Sequence, residues 1–210
     1  MSAVGIVVIG GGGHAKVVIG ALQAAERLVI AVYDDDPATW GTALLGVRVV
    51  GPISAVKKES YEGVIAIGDN VTRKVISEKV KLQWTTVTHP TAYVHPSVRV
   101  GVGSVVFAGA VLQPETKIGD HVIVNTGATV DHDCTIGDFV HIAPGANLAG
   151  AVQLGEGAFL GIGSTVNPGV SIGAWTVVGA GGVVTRSLPD HVVAFGVPAK
   201  IKRQSTERTK

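Results

Sequence analysis

Between Val94 and Val184 every sixth residue of this 210-residue chain is a branched aliphatic, with no member missing and none out of phase. The series starts Val94, Val100, Val106, Leu112, Ile118 and Val124 and continues through Val130, Leu148 and Val166. A period of six fits neither an amphipathic helix nor an alternating strand. It marks an internal repeat, which must be read first. Two residues before most members stands a small or branched residue, among them Ser104, Ala110, Thr116, Val122, Cys134, Ala146, Ala158 and Ser164. Glycine often follows the aliphatic, as in Ile118-Gly119, Ile136-Gly137 and Leu154-Gly155. This pattern predicts a parallel β-helix of hexapeptides. Three hexapeptides, about 18 residues, close one triangular coil, and the array predicts about five coils. The aliphatic points into the prism and the small residue packs near the corner. Val130, Leu148 and Val166 should therefore stack. The glycines are expected to supply turn conformations that a Cβ forbids. Each coil buries its apolar faces only against its neighbours.

Composition excludes several functions. The formal net charge is +1 and no basic block occurs, which argues against nucleic acid as a partner. No run of about 20 apolar residues could span a bilayer. Met1–Gly13 is apolar but lacks the basic start and cleavage site of a signal peptide, so it reads as a buried strand. The single cysteine, Cys134, occupies a small-residue core position and forms no internal disulfide, which suits a cytoplasmic protein.

Residues 1–87 lack the period of six. Gly5–Ile9, Leu28–Tyr33 and Val64–Ile67 are short apolar runs, each ending in glycine or polar residues. They read as buried parallel strands whose C-terminal ends carry a ligand site. A helix should follow the first, with Val17, Val18, Ile19, Leu22 and Ala25 on one side. The expected architecture is a small α/β, Rossmann-like domain over 1–87 and an all-β parallel β-helix over 88–210. A linker is expected near Thr88–Pro96. Gly10–Gly13 is a candidate phosphate cradle at a helix start, and Asp34-Asp35 lies where carboxylates bind ribose hydroxyls. The match to the dinucleotide fingerprint is imperfect, because His14 follows Gly13 and no third spaced glycine comes. A tight strand-to-helix turn without a ligand is the alternative. A half-sized unit of this kind suits one nucleotide better than two.

Together, Gly10-Gly11-Gly12-Gly13-His14, Asp34-Asp35, Ala66-Ile67-Gly68-Asp69-Asn70, Asn125-Thr126-Gly127, Val130-Asp131-His132-Asp133-Cys134, Phe159-Leu160-Gly161 and Gly196-Val197-Pro198-Ala199-Lys200 carry a resemblance over essentially the whole chain. The chain resembles the nucleotide-sugar N-acetyltransferases of the sialic-acid-O-acetyltransferase-like left-handed β-helix family, and within it most of all those that acetylate GDP-perosamine. Other members acetylate UDP-linked bacillosamine precursors. The resemblance implies a left-handed coil and a homotrimer with acetyl-CoA in grooves between neighbouring β-helices. It also implies that the N-terminal domain holds the nucleotide sugar. No metal is implied.

The reaction implied moves acetyl from a thioester to a sugar amine. It needs a base with a pKa near neutral and a donor at the developing oxyanion. Histidine is the natural base. His132 follows the inward Val130 by two residues, so it should face outward, flanked by Asp131 and Asp133. The resemblance makes His132 the general base, Asp133 its polar neighbour and the Gly150 N–H the oxyanion donor. It places His141 on the acetyl-CoA side. Ile162 and Ala180 match positions lining the CoA groove, followed by Val197, Pro198 and Lys200. Gly12, Gly13 and His14 should face the diphosphate, Asp34 and Asp35 the ribose or base, and Gly68 and Asn70 should close the pocket. Three rivals stand beside this reading. They are a sugar O-acetyltransferase, a trimeric zinc hydratase using His121, His132 and His141, and a scaffold without catalysis.

Overall fold

The computed structural model describes residues 5–56 and 61–205. Met1–Val4, the start of the apolar opening segment, lie outside the described residues. The N-terminal domain is an α/β unit. Its elements are β1 (Ile6–Ile9), α1 (Gly13–Ala24), β2 (Val29–Tyr33), β3 (Ala43–Leu44), β4 (Val47–Gly51), β5 (Glu62–Ile65), α2 (Asn70–Lys79) and β6 (Gln83–Trp84). The sheet order is β3-β4-β2-β1-β5-β6. All pairs are parallel except β3 with β4. Every residue of β1 is buried, which its unbroken Ile-Val-Val-Ile run predicts for a strand covered on both faces.

Helix α1 buries Ala15, Val18, Ile19, Ala21 and Leu22. Val17, expected on the same side, is instead 42% exposed. The buried set follows the spacing i, i+3, i+4, i+7 from Ala15, and Val17 falls off that stripe.

The second domain is a left-handed parallel β-helix. Two-residue strands stack in three faces with a constant register shift: Val130 pairs with Leu148 and Leu148 with Val166. The first face starts at Val87–Thr88, the second at Tyr93–Val94 and the third at Arg99–Val100. Thr88–Pro96, expected as a linker, therefore belongs to the first coil. Its prolines sit at coil corners, where no sheet N–H is required of them. The third face has five strands, which closes five complete coils. The first face continues with Val192–Phe195 and ends with the antiparallel Lys200–Gln204. The inward aliphatics and the small residues behind them form one core. Cys134 lies in it, fully buried, and its thiol donates to the Ala149 carbonyl at 3.3 Å. Burial also pushes that thiol up, so no thiolate nucleophile stands there.

Coil glycines such as Gly109, Gly127 and Gly163 take the left-handed turn backbone expected of them, but the glycines that follow the aliphatics do a different job. Left-handed backbone recurs at every sixth position from Gly103 through Glu115, His121, Asp133, Phe139, Ala151 and Trp175 to Gly181, so the turn does not demand glycine. An inter-coil hydrogen bond supports these residues, as between Asp133 N–H and the Pro114 carbonyl at 3.1 Å. The glycines that follow the aliphatics have ordinary φ. There a Cβ would strike the next coil: at Gly137 it would lie 2.8 Å from the Glu156 nitrogen. Close coil stacking, not turn geometry, selects them.

The N-terminal domain sits on the first face. Val18, Ile19 and Leu22 of α1 share a core cluster with Val87, Val105, Phe107 and Ile123. Among the described residues, the core cluster that joins the two domains takes its β-helix members from the first face.

Candidate functional site

His132 stands at the corner between the second and third faces, in the turn between Thr129–Val130 and Thr135–Ile136. Its side chain is 59% exposed. Nδ1 lies 2.7 Å from Asp133 Oδ2, and Asp131 Oδ1 accepts the His132 backbone N–H at 2.7 Å. A carboxylate oxygen accepts, so Nδ1 carries the proton and Nε2 presents a free lone pair. The hydrogen bond to Asp133, and after it the charge of Asp131, raises the imidazole above its ordinary value. Gly150 occupies the same corner one coil on and is buried under this ring. A Cβ there would lie 2.6 Å from His132 Cε1 and Nε2. Among the described residues the Gly150 N–H has no acceptor. Pro114 and Pro168, at the same position of flanking coils, have no N–H to offer. The His132 imidazole and the unspent Gly150 N–H thus share one corner.

Ile162 and Ala180 are exposed and stack at the neighbouring corner, between the first and second faces. The chain returns past this corner after the last coil: Ala199 N–H bonds to the Val183 carbonyl at 2.8 Å. This sets Val197, Pro198 and Lys200 in the open beyond it, with Val197 75% exposed. The expected CoA-side residues, His141 excepted, therefore cluster. They lie across the second face from His132 within one protomer.

At the strand ends of the N-terminal domain the four glycines divide into two pairs. A Cβ at Gly10, where φ is +104°, would lie 2.7 Å from Ile67, and at Gly11 it would lie 3.2 Å from Asp34. Around Gly12 and Gly13 no atom beyond the adjoining residues and the helix backbone itself lies within 4 Å of an added Cβ. The N-terminus of α1 has no side-chain cap and no acidic residue in its first turn. Open N–H groups at that end suit an anion. Asp34 holds the loop: Oδ2 accepts from Gly11 N–H at 2.5 Å and Oδ1 from Asp36 N–H at 2.7 Å. Both oxygens of Asp34, expected at the ribose or base, are thus engaged by backbone. Asp35 Oδ1 accepts from Ile53 N–H at 2.9 Å, and the residue borders a cavity of about 650 Å³ with Ile53, Ser54, Thr72 and Lys79.

Three expected residues have their side chains engaged inside the protomer. His14 turns its ring edge onto Phe107, with centroids 5.5 Å apart, and its Nε2 is buried without a partner. Burial, aided by the Arg73 charge, lowers it to about 4, so the ring is neutral in the ligand-free protein. His141 is 8% exposed and lies beneath Gly68. Its Nδ1 donates to the Gly68 carbonyl at 3.1 Å, which leaves Nε2 to accept from Asn125 Nδ2 at 3.2 Å. Burial first, then Arg73, lowers it to about 4. Both nitrogens are occupied inside the protomer, so His141 anchors the Gly68 loop. Asn70 does meet the Gly68 side of a cavity of about 340 Å³. Its amide is consumed, however, donating to the Gly157 carbonyl at 3.0 Å and accepting from Arg73 at 2.8 Å.

Arg73 escaped the sequence reading. It is 1% exposed and its guanidinium binds carbonyls of both domains. An arginine on a polar helix reads as solvated, and only contacts far along the chain reveal its burial. The zinc reading fails on placement. His121 is 5% exposed, edge-on to Trp84 and stacked on Phe139. It and His141 are enclosed by their own protomer while His132 stands at another corner. No group of three metal-binding side chains occurs among the described residues.

Residues 5–80 match the PglD N-terminal domain family, and residues 115–150 and 151–186 match the bacterial transferase hexapeptide family. Perosamine N-acetyltransferase from Caulobacter crescentus, solved with CoA and GDP-perosamine, is 49% identical. The alignment covers 94% of this chain and 97% of that one, with a TM-score of 0.87. The acetyltransferase domain of PglB from Neisseria gonorrhoeae is 37% identical over 95% of this chain and 100% of that one, with a TM-score of 0.90. UDP-N-acetylbacillosamine N-acetyltransferase of Bacillus subtilis is 40% identical over 118 residues. The chain spans 51% of that curated relative and 19% of an uncharacterized mimivirus protein. Its two domains, their order and its near full-length likeness place the chain in the family of nucleotide-sugar N-acetyltransferases that join a PglD-type N-terminal domain to a left-handed hexapeptide β-helix.

Proposed function

We propose that the chain transfers acetyl from acetyl-CoA to the 4-amino group of a nucleotide-linked 4-amino-4,6-dideoxy sugar, GDP-perosamine or a UDP-linked bacillosamine precursor. The observation that carries this reading is the corner where His132, oriented by Asp133, covers the unspent N–H of Gly150. The relative complexed with CoA and GDP-perosamine supports the substrate pair. His132 Nε2 takes the amine proton as nitrogen attacks the thioester carbonyl, and Asp133 stabilises the imidazolium that forms. The Gly150 N–H receives the negative charge developing on the carbonyl oxygen. Collapse expels the CoA thiolate, which the imidazolium protonates. No covalent enzyme intermediate is needed.

The N-terminal domain, residues 1–87, takes the sugar nucleotide, with the diphosphate over Gly12 and Gly13. Residues 88–210 take acetyl-CoA along Ile162, Ala180, Val197, Pro198 and Lys200. Those residues and His132 flank opposite edges of one free face, and the nucleotide domain covers another. A homotrimer that packs prisms side by side brings the corner of one protomer to the groove of the next, which a single protomer does not do. Thiol release from acetyl-CoA, measured against GDP-perosamine, UDP- and dTDP-linked 4-amino-6-deoxy sugars and a sialic acid, tests the reading. Rapid turnover of one nucleotide-linked amine is expected. Activity on sialic acid alone would make it an O-acetyltransferase, and silence with every acceptor would overturn acetyl transfer to sugars.

A further inference from the structure

Arg73 is a buried cation whose hydrogen bonds all end on neutral acceptors. Nε donates to the His121 carbonyl at 2.8 Å. Nη1 donates to Ile67 at 3.1 Å and Gly68 at 3.3 Å. Nη2 donates to Asn70 Oδ1 at 2.8 Å, Phe139 at 2.6 Å and Val140 at 3.4 Å. Asp69 is near enough to favour the charge but accepts no bond from it; enclosing a guanidinium without a hydrogen-bonded carboxylate is expensive, and only a full set of acceptors makes it tolerable. Packing alone does not ask for it, since an apolar side chain would fill the space without that cost.

The acceptors reveal what the arrangement does. His121 and Phe139 occupy one position of successive coils, and Gly157 occupies it in the coil after. Arg73 takes the first two carbonyls, and Asn70 takes the third at 3.0 Å. Three rungs of one carbonyl ladder are therefore read from the first turn of α2. The same guanidinium grips Ile67 and Gly68, the loop at the end of β5, and the Gly68 carbonyl also receives His141 Nδ1. A slip of the N-terminal domain by one coil would move Arg73 and Asn70 onto other rungs and break the bond between His141 and the Gly68 carbonyl. The planar fork of arginine holds several acceptors in fixed directions, which an ammonium cannot do.

We propose that Arg73, assisted by Asn70, is a positioning residue for the sugar-nucleotide site: it sets the Gly68 loop at one height on the β-helix by binding the carbonyls of three successive coils. This rests on the proposed function in so far as the strand ends hold a nucleotide. The grip has no part in the CoA corner, so its loss acts on one ligand and spares the other.

The test measures binding of GDP, UDP and CoA by calorimetry, together with hydrogen exchange, on the full chain and on Arg73→Met, Arg73→Lys and Asn70→Ala. Arg73→Met should weaken the nucleotide that the unmodified protein binds by about tenfold or more. CoA affinity should stay within about twofold. Amides of residues 61–80 should lose protection while those of residues 123–178 keep it. Arg73→Lys retains the charge but reaches fewer carbonyls, so it should fall between. Asn70→Ala keeps the guanidinium and should fold even where Arg73→Met does not, with a loss of about threefold in the same direction. Unchanged nucleotide affinity in Arg73→Met, or in Asn70→Ala should Arg73→Met not fold, overturns the inference. So does an equal fall in nucleotide and CoA affinity. An unmodified protein that binds CoA but neither nucleotide would instead sink the reading of the N-terminal site itself.

Discussion

At the corner between the second and third faces His132 stands in water between two aspartates. At the corner between the third and first faces His121 lies under Trp84 and on Phe139, and nearby His141 is closed over by the Gly68 loop. Both corners are built by the same hexapeptide geometry, with left-handed backbone at Asp133 and at His121. The contrast comes from what covers them. The N-terminal domain docks on the first face and encloses its histidines, so burial lowers His14, His121 and His141 to about 4. His132 faces away from that domain and its carboxylates raise it. Residue type offered seven histidines of equal standing. Environment leaves one base able to exchange protons near neutral pH among those four, and converts the other three into neutral packing and hydrogen-bonding groups.

The sharpest way to break this comparison is to remove the exposed member. His132→Asn should lower kcat/KM by about 10²-fold or more, while the oligomeric state and CoA affinity stay unchanged. Steady-state kinetics with calorimetry reads both. Turnover near the unmodified rate would take His132 out of the mechanism and reopen the role of the buried histidines.

Gly150→Ala attacks the same corner without touching a titratable group. The new methyl would sit 2.6 Å from the His132 ring and must push it off. We expect kcat to fall about tenfold, the scale of a misplaced base and a disturbed oxyanion donor, with little change in melting temperature. An unchanged kcat would mean that the observed ring pose is not the reacting one.

The two groups of histidines should also separate along the pH axis. His132 accepts a proton only when neutral. With its pKa raised above 6.5, kcat/KM should decline on the acid side of a midpoint lying above 6.5. Asp133→Asn should move that midpoint down toward the ordinary value. Stability responds in another window. His121 and His141 are neutral when folded, so the unfolded chain binds more protons between 6.5 and about 4. Stability is therefore full above 6.5 and is lost as pH falls toward 4. Within that window each buried histidine costs about 1.4 kcal/mol for every pH unit of acidification. Activity should fade first and the melting temperature later. Coincident midpoints would contradict the separation.

How much of this was legible in the sequence differs between the two domains for a physical reason. In the β-helix each residue's place follows from its number modulo the coil, because neighbours in space are one coil apart in sequence. Hence the inward series and the outward His132 were readable, while Gly150 was named only through the family resemblance. The start of the coils was blurred, since Thr88–Pro96 has the prolines of a linker and lacks only a longer run of repeats. The role of the glycines after the aliphatics was misread because composition does not tell close stacking from a strained turn. In the N-terminal domain the loops were readable as loops, but their partners were not. Asp34 bonds Gly11 and Arg73 bonds Phe139, contacts separated by long stretches of chain that no local pattern records. His141 belongs to both worlds. Its place in the register puts it on the first face, while the domain that buries that face could not be placed from periodicity.

The acidic pair offers the smallest effect and the finest test of that lesson. Asp34 and Asp35 are adjacent, yet Asp34 spends both oxygens on backbone N–H groups while Asp35 spends Oδ1 on Ile53 and borders the larger cavity. If the cavity receives part of the nucleotide, the second oxygen of Asp35 is the one available to a hydroxyl or base. Asp35→Ala should then raise KM for the sugar nucleotide by about threefold to tenfold, the size of one charge-assisted hydrogen bond partly replaced by water, with KM for acetyl-CoA unchanged. Asp34→Ala instead frees Gly11 and should disturb the loop itself, which a melting curve would register. Equal rises in both KM values for Asp35→Ala would show that its bond to Ile53 matters for folding alone. The cavity would then have no part in selecting the base.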